Sequence, residues 1–184
     1  MGNPDEELIE GAQQGDVEAL TMIYNTYHPS IYRYVYFRLA DQQLAEDIAA
    51  EVFVRMVEKI STYQPRGKPI LAWLYTIARN LVVDFHASRT REDASWRETS
   101  PLENGHPQPS QLVERRQDLE TLLDAMSQLN EDQRMFILLK FGDEFSTDEI
   151  ALIMGRNERA VRSLQHRALA SLGRFLNKEV PDET

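Results

Sequence analysis

The segment FSTDEIALIMGRNERAVRSLQHRALASLGRFLNK, Phe145 to Lys178, constrains the chain most, because the start of one helix, its turn and the start of a second are all written into it. Ser146-Thr147-Asp148-Glu149 predicts a capping box, in which a Ser side chain and a Glu three residues later satisfy each other's orphan backbone amides. Ile150, Ala151 and Met154 give the first helix an apolar stripe. Gly155 supplies the backbone freedom for a tight turn, and Asn157 is placed to cap a second helix. On that second helix Val161, Leu164, Ala168, Leu172 and Phe175 share one face by helical spacing, while Arg159, Arg162, Ser163 and His166 recur on the other. The pattern is a helix-turn-helix with one face for packing and one for a partner.

Charge on an exposed helix face is usually only solvated. Its distribution here says more. Ile150 to Lys178 carries six basic residues (Arg156, Arg159, Arg162, Arg167, Arg174, Lys178) against one acid, Glu158, within a chain of net charge −10. Residues 61–91 form a second basic stretch, with five cations against Asp84. Basic islands in an acidic chain are an electrostatic footprint for phosphate, so DNA is the leading partner. The acidic remainder suits a basic protein surface and weakens binding of the free chain to random DNA.

At 184 residues the chain has room for one large domain or two small ones. It contains no Cys, which excludes disulfides, thiolate nucleophiles and cysteine zinc sites. Met1 to Gln14 is acidic and polar, unlike a signal peptide, and no apolar run approaches a membrane span, so a cytoplasmic location is expected. His28, His86, His106 and His166 are scattered, none in a metal-ligand spacing, and no Gly-rich phosphate loop is present. No catalytic residue, metal or cofactor is expected, and the chain does not read as an enzyme.

Between Arg89 and Arg116 the helical periodicity fails. TREDASWRETSPLENGHPQPSQ holds three of the eight prolines together with Gly, Ser, Asn and charges, the composition of a flexible linker. Both flanks have apolar period 3.6 and no hairpin signal. The expected fold is therefore all-α, two small helical domains: an N-terminal helical bundle over 1–88, a linker over 89–112 and a C-terminal helix-turn-helix domain over 113–184.

In the N-terminal half, two short helices are expected over residues 5–15 and 16–27, and a third from Ser30 to Leu39. Asp41 to Ile60 is a strong amphipathic helix, with Leu44, Ile48, Val52, Phe53, Met56 and Ile60 on its apolar side and Asp47, Glu51, Arg55 and Glu58 opposite. The loop STYQPRGKP follows and leads into ILAWLYTIARNLVVDFHASRTR, whose buried stripe is Ile70, Leu74, Ile77, Leu81 and Phe85. Trp73, Arg79, Asn80, Asp84 and His86 fall on other faces. Aromatic rings, cations and an Asn amide so mixed suit the stacking and edge bonding of unstacked bases, although Trp73 equally suits a core.

In series, these motifs resemble the bacterial RNA polymerase sigma factors of the extracytoplasmic-function group. LAEDIAAEVFVRMVEKI resembles the family's polymerase-docking helix and AWLYTIARNLVVDFHASR its promoter-melting helix. LNEDQRMFILLKF with STDEIALIMGRNERAVRSLQHRALASL resembles its C-terminal DNA-reading domain. Leu129 is followed by Asn130 where family members commonly show a proline, and from the short acidic tail after Phe175 no appended regulatory domain is expected.

The resemblance implies roles. Asp47, Glu51 and Arg55 would contact the core RNA polymerase. Tyr63, Arg66, Lys68, Trp73, Arg79, Asn80 and Asp84 would read the minus-10 element as melted single strand. Arg156, Arg159, Arg162, Ser163, His166 and Arg167 would read the minus-35 duplex of promoter DNA in the major groove, where an arginine fork pairs with guanine or clamps phosphate. Glu92, Asp93, Glu98 and Glu103 would thread through a basic channel of the polymerase. The resemblance also implies a monomer, no membrane insertion and an anti-sigma protein that holds the chain inactive. The rival from the bare pattern is a conventional helix-turn-helix regulator, which would bind duplex DNA unaided as a symmetric dimer.

Overall fold

The computed structural model describes residues 5–93 and 111–176 and, within these, the side chains of 5–89 and 117–176. Among the described residues there are eight α-helices and no strand, as the periodicity predicts. The N-terminal half contains α1 (Asp5–Gln13), α2 (Val17–Leu39), α3 (Gln42–Lys59) and α4 (Ile70–Asp93); the C-terminal half contains α5 (Gln111–Ser127), α6 (Glu131–Ile137), α7 (Thr147–Met154) and α8 (Glu158–Leu176).

The helices begin where short polar side chains accept from orphan amides. Asp16 accepts from Glu18 N at 2.9 Å and Asp41 from Leu44 N at 2.9 Å. Ser146 and Glu149 form the expected capping box. A second one starts α6, where the Asn130 side chain accepts from Gln133 N and the Gln133 side chain accepts from Asn130 N. Asn130 thus starts the helix at the position where proline is common in the family.

One expectation is corrected. Residues 16–27 and 30–39 are not separate helices but one, α2, with Pro29 inside it. An interior proline removes a hydrogen bond and crowds the preceding turn, at about 3 kcal/mol. Against that stand Ile23, before the proline, and Ile31, Tyr34 and Val35, after it, all fully buried. Each such side chain contributes roughly 1.5–3 kcal/mol on burial, so one continuous packing stripe outweighs the lost bond. The helix stops at Ala40, which takes the left-handed conformation (φ 52°) and returns its amide to Tyr36 O.

In the N-terminal bundle α2, α3 and α4 pack mutually, with α1 laid across α2. Ile48, Val52, Phe53 and Met56 of α3 and Ile70, Leu74, Ile77 and Leu81 of α4 are buried in it, as expected. In the C-terminal half α5, α6 and α7 all pack on α8. Ile150 and Ala151 of α7 are buried together with Ile153, whereas Met154 is only half-buried. Arg134 is buried too: it donates to the carbonyls of Met126 (2.9 Å), Ser127 (3.1 Å) and Leu129 (3.0 Å), closing the C-terminal end of α5.

After α6 the backbone widens into a π-turn, Leu138–Gly142, closed by Asp143 N donating to Leu138 O at 3.0 Å. This turn lies against α2, and α7 lies against α4, so the buried apolar residues of the two halves form one continuous cluster.

Candidate nucleic-acid interface

Local chemistry builds the C-terminal surface. Gly155 closes α7 at φ 64°, and Asn157 Oδ1 accepts from Ala160 N at 2.8 Å to start α8. With Val161, Leu164 and Ala168 buried beneath, Arg159, Arg162, Ser163, His166 and Arg167 stand exposed on the opposite side. Their partners are weak and local. Arg162 pairs with Glu158 at 3.0 Å, and Arg167 Nε reaches its own helix at Ser163 O, 3.4 Å. Exposed pairs of this kind are worth about 0–1 kcal/mol, so a phosphate displaces them readily. Arg156 differs, since it sits in the turn and pairs with Asp132 of α6.

The N-terminal surface is a loop pinned from elsewhere. Between the short 3₁₀ turn Ile60–Thr62 and α4, Lys68 N donates to Pro65 O at 2.9 Å. Both central residues of this β-turn have positive φ, Arg66 at 47° and Gly67 at 73°, the pattern of a type I′ turn. For Arg66 that conformation costs about 1–3 kcal/mol, so the surroundings must hold it. The turn shows Arg66 and Lys68 to solvent.

At the loop's other end Tyr63 stacks on Trp73, with ring centroids 4.2 Å apart and planes 16° from parallel. Trp73 is therefore half-buried at the surface, not a core residue. Gln13 of α1 donates to Tyr63 O at 2.8 Å, while Tyr27 donates to Asp5 at 2.6 Å and ties α1 to α2. Burial first, and then Asp5, push the Tyr27 phenol well above its ordinary range, so it stays a donor. Along α4, Trp73, Asn80 and Asp84 lie on one strip by helical spacing, and Asn80 and Asp84 are exposed. Arg79 is also exposed, beside a groove of about 140 Å³ between α4 and the C-terminal half.

The third predicted set is a row on α3. Arg55 Nε donates to Glu51 at 2.9 Å, and Gln43 donates to Asp47 at 3.3 Å. Val54, about half exposed, falls on the same side as Asp47 and Glu51 by helical spacing, an apolar member that a search for polar contacts passed over. Sequence reasoning also missed Gln13 and Asp5, because nothing local marks a tether 50 residues from the loop that it holds. Glu98 and Glu103 of the linker, and the side chains of Glu92 and Asp93, lie outside the described residues. Among the described residues no group of His, Cys, Asp and Glu is suited to hold a metal ion, and no helix is long and apolar enough to cross a membrane.

Two family models match the chain: Sigma-70 region 2 over residues 23–92 and Sigma-70, region 4 over residues 119–172. The ECF RNA polymerase sigma factor BldN of Streptomyces coelicolor is 38% identical over 171 residues, which cover 92% of this chain and 65% of that longer protein. The ECF RNA polymerase sigma factor SigD of Mycobacterium tuberculosis is 30% identical over 177 residues, 94% of this chain and 84% of the relative. Among solved structures, the sigma factor RpoE of Bartonella quintana in complex with the anti-sigma factor NepR has the same fold, with a TM-score of 0.61, 23% identity, and coverage of 89% of this chain and all of that one.

Proposed function

The chain belongs to the ECF RNA polymerase sigma factors, and from that premise we propose that it docks on core RNA polymerase through α3 and opens promoters that it reads with two separate surfaces. The observation that carries this is the coincidence of the two matched regions with the two basic surfaces. Region 2 spans the pinned loop and α4, and region 4 spans the exposed arginine face of α8.

On α3, Asp47, Glu51, Arg55 and the exposed Val54 meet the polymerase. The loop and α4 take the melted minus-10 strand. Trp73, already stacked with Tyr63, offers a π-face to an unstacked base, Arg66 and Lys68 neutralise its phosphates, and Asn80 and Asp84 bond base edges. Capturing a flipped base offsets part of the few kcal/mol that leaving the stack costs. α8 enters the minus-35 major groove, where Arg159, Arg162, Ser163 and His166 face base edges and Arg156 and Arg167 the phosphates. The chain performs no catalysis of its own; the polymerase does the chemistry, in the cytoplasm. Its inhibitor is an anti-sigma protein, by analogy with the Bartonella complex.

Run-off transcription with purified core polymerase on a library of promoter fragments tests this. Start-site-specific transcripts that depend on the protein are expected. No transcript and no association with core, alongside unaided binding to duplex DNA as a dimer, would instead establish a conventional regulator.

A further inference from the structure

Glu131 and Asp132 are neighbours in the first turn of α6, yet they serve different partners. Glu131 accepts from Tyr34 and pairs with Arg38, both on α2. Asp132, about 100° further round the helix, pairs instead with Arg156 in the turn between α7 and α8, 24 residues on.

Asp132 is held in place by its own helix. The Asn130/Gln133 capping box fixes the start of α6, and the Gln133 side chain also reaches Ser171 Oγ of α8 at 3.3 Å. Arg134, buried two residues on, ties α6 to the end of α5. The partner arginine is fixed at its backbone, where Arg156 N donates to Ala151 O at 2.9 Å beyond left-handed Gly155. Only its long side chain is free to adjust.

This pair differs from the others on the surface assigned to duplex DNA. Arg162 and Arg167 find their partners on α8 itself, at Glu158 and the Ser163 carbonyl. Asp132 is an acid that another helix brings to that surface. Its carboxylate offers an arginine fork the same anionic oxygens that a phosphate offers. The two side chains are 40% (Arg156) and 48% (Asp132) exposed, so water and salt screen the pair and a phosphate can replace the carboxylate.

We infer that Asp132 is an internal stand-in for a DNA phosphate, occupying Arg156 while the chain is free and yielding it on a duplex. Arg156 contributes to binding only after this exchange, so the pair lowers affinity for every duplex, whatever its sequence. The weak binding of random DNA that the overall acidity of the chain predicts thus gains a specific source in one side chain. The cost falls on a phosphate contact, which carries no sequence information, and spares the side chains that face base edges. The inference rests on the assignment of the α8 surface to duplex DNA.

Titration of a labelled random-sequence duplex with the free full-length chain, repeated over a range of salt, tests this without a promoter. Asp132→Asn should bind about two- to fivefold more tightly, the gain from releasing an exposed pair. Asp132→Ser should behave alike and Asp132→Glu should stay close to the parent; circular dichroism checks that each stays helical. Arg156→Ala should bind more weakly, with a salt slope shallower by about 0.9, the counterion release of one phosphate contact. Adding Asp132→Asn to Arg156→Ala should give no gain, and the parent's gain should be the same on a minus-35 fragment from the run-off selection. Unchanged or weaker binding in both the Asn and Ser variants overturns the inference. So does an equal gain in the Arg156→Ala background, which would make Asp132 a general repellent of DNA, or an unchanged salt slope in Arg156→Ala. A gain confined to the minus-35 fragment overturns it as well. Failure of the parent in run-off transcription would count against the sigma-factor reading and leave the titration standing.

Discussion

The two basic surfaces are held by different means. The arginines of α8 are placed by residues within one short stretch: the Ser146/Glu149 box, left-handed Gly155, the Asn157 cap and the buried stripe under the helix. The loop with Arg66 and Lys68 is held from outside, by Gln13 fifty residues upstream and by the Tyr63–Trp73 stack, and it carries a strained turn. A duplex groove has fixed dimensions and suits a rigid reader; an unstacked strand does not, and a pinned loop can adjust to it.

The sharpest test of C-terminal rigidity is Arg134→Ala. It leaves three carbonyls without their donor, at an expected cost of about 3 kcal/mol in urea unfolding, an effect that should appear in C-terminal amide exchange and spare the loop. Next are the contacts proposed to DNA. Arg159→Ala and Arg162→Ala should each weaken minus-35 duplex binding by about 1–3 kcal/mol without altering single-strand capture, as measured by titration of labelled fragments in the presence of core. Trp73→Ala should do the reverse, losing about 1–3 kcal/mol on a bubble template and nothing on duplex. If either substitution affects both probes equally, the division between the surfaces fails.

A smaller effect is expected from Gln13→Ala, about 1 kcal/mol on bubble binding with unchanged global stability, because it removes one tether and no contact to DNA. The smallest concerns pH. The Ser146 hydroxyl and amide hold the Glu149 carboxyl below its usual range. Its cap is therefore fully present above the unfolded carboxylate value, about 4.3, and is lost only as pH falls through the lower folded value. Exchange of the Ser146 amide should accelerate only below about pH 4. Acceleration near neutrality would mean that the box does not control the start of α7.

The sequence by itself determined the helices that carry their own punctuation, and with them the exposed face of α8, because capping, turn chemistry and 3.6-residue periodicity act over a few residues. It identified the amphipathic α3 and the stripe of α4 for the same reason. It misjudged α2, since a proline is a local signal for a break, and only packing on both sides of Pro29 overrules it. Tertiary structure alone decided that Gln13 supports the loop, that Trp73 lies at the surface against Tyr63, and that Asp143 and Glu131 sit among Ser30, Arg33, Tyr34, Arg38 and Tyr75. Those partners are 50 to 113 residues apart for all but the Tyr63–Trp73 contact. No periodicity encodes such meetings; they follow from how the assembled helices bury their apolar faces and from the cost of leaving a carboxylate unpaired where they close.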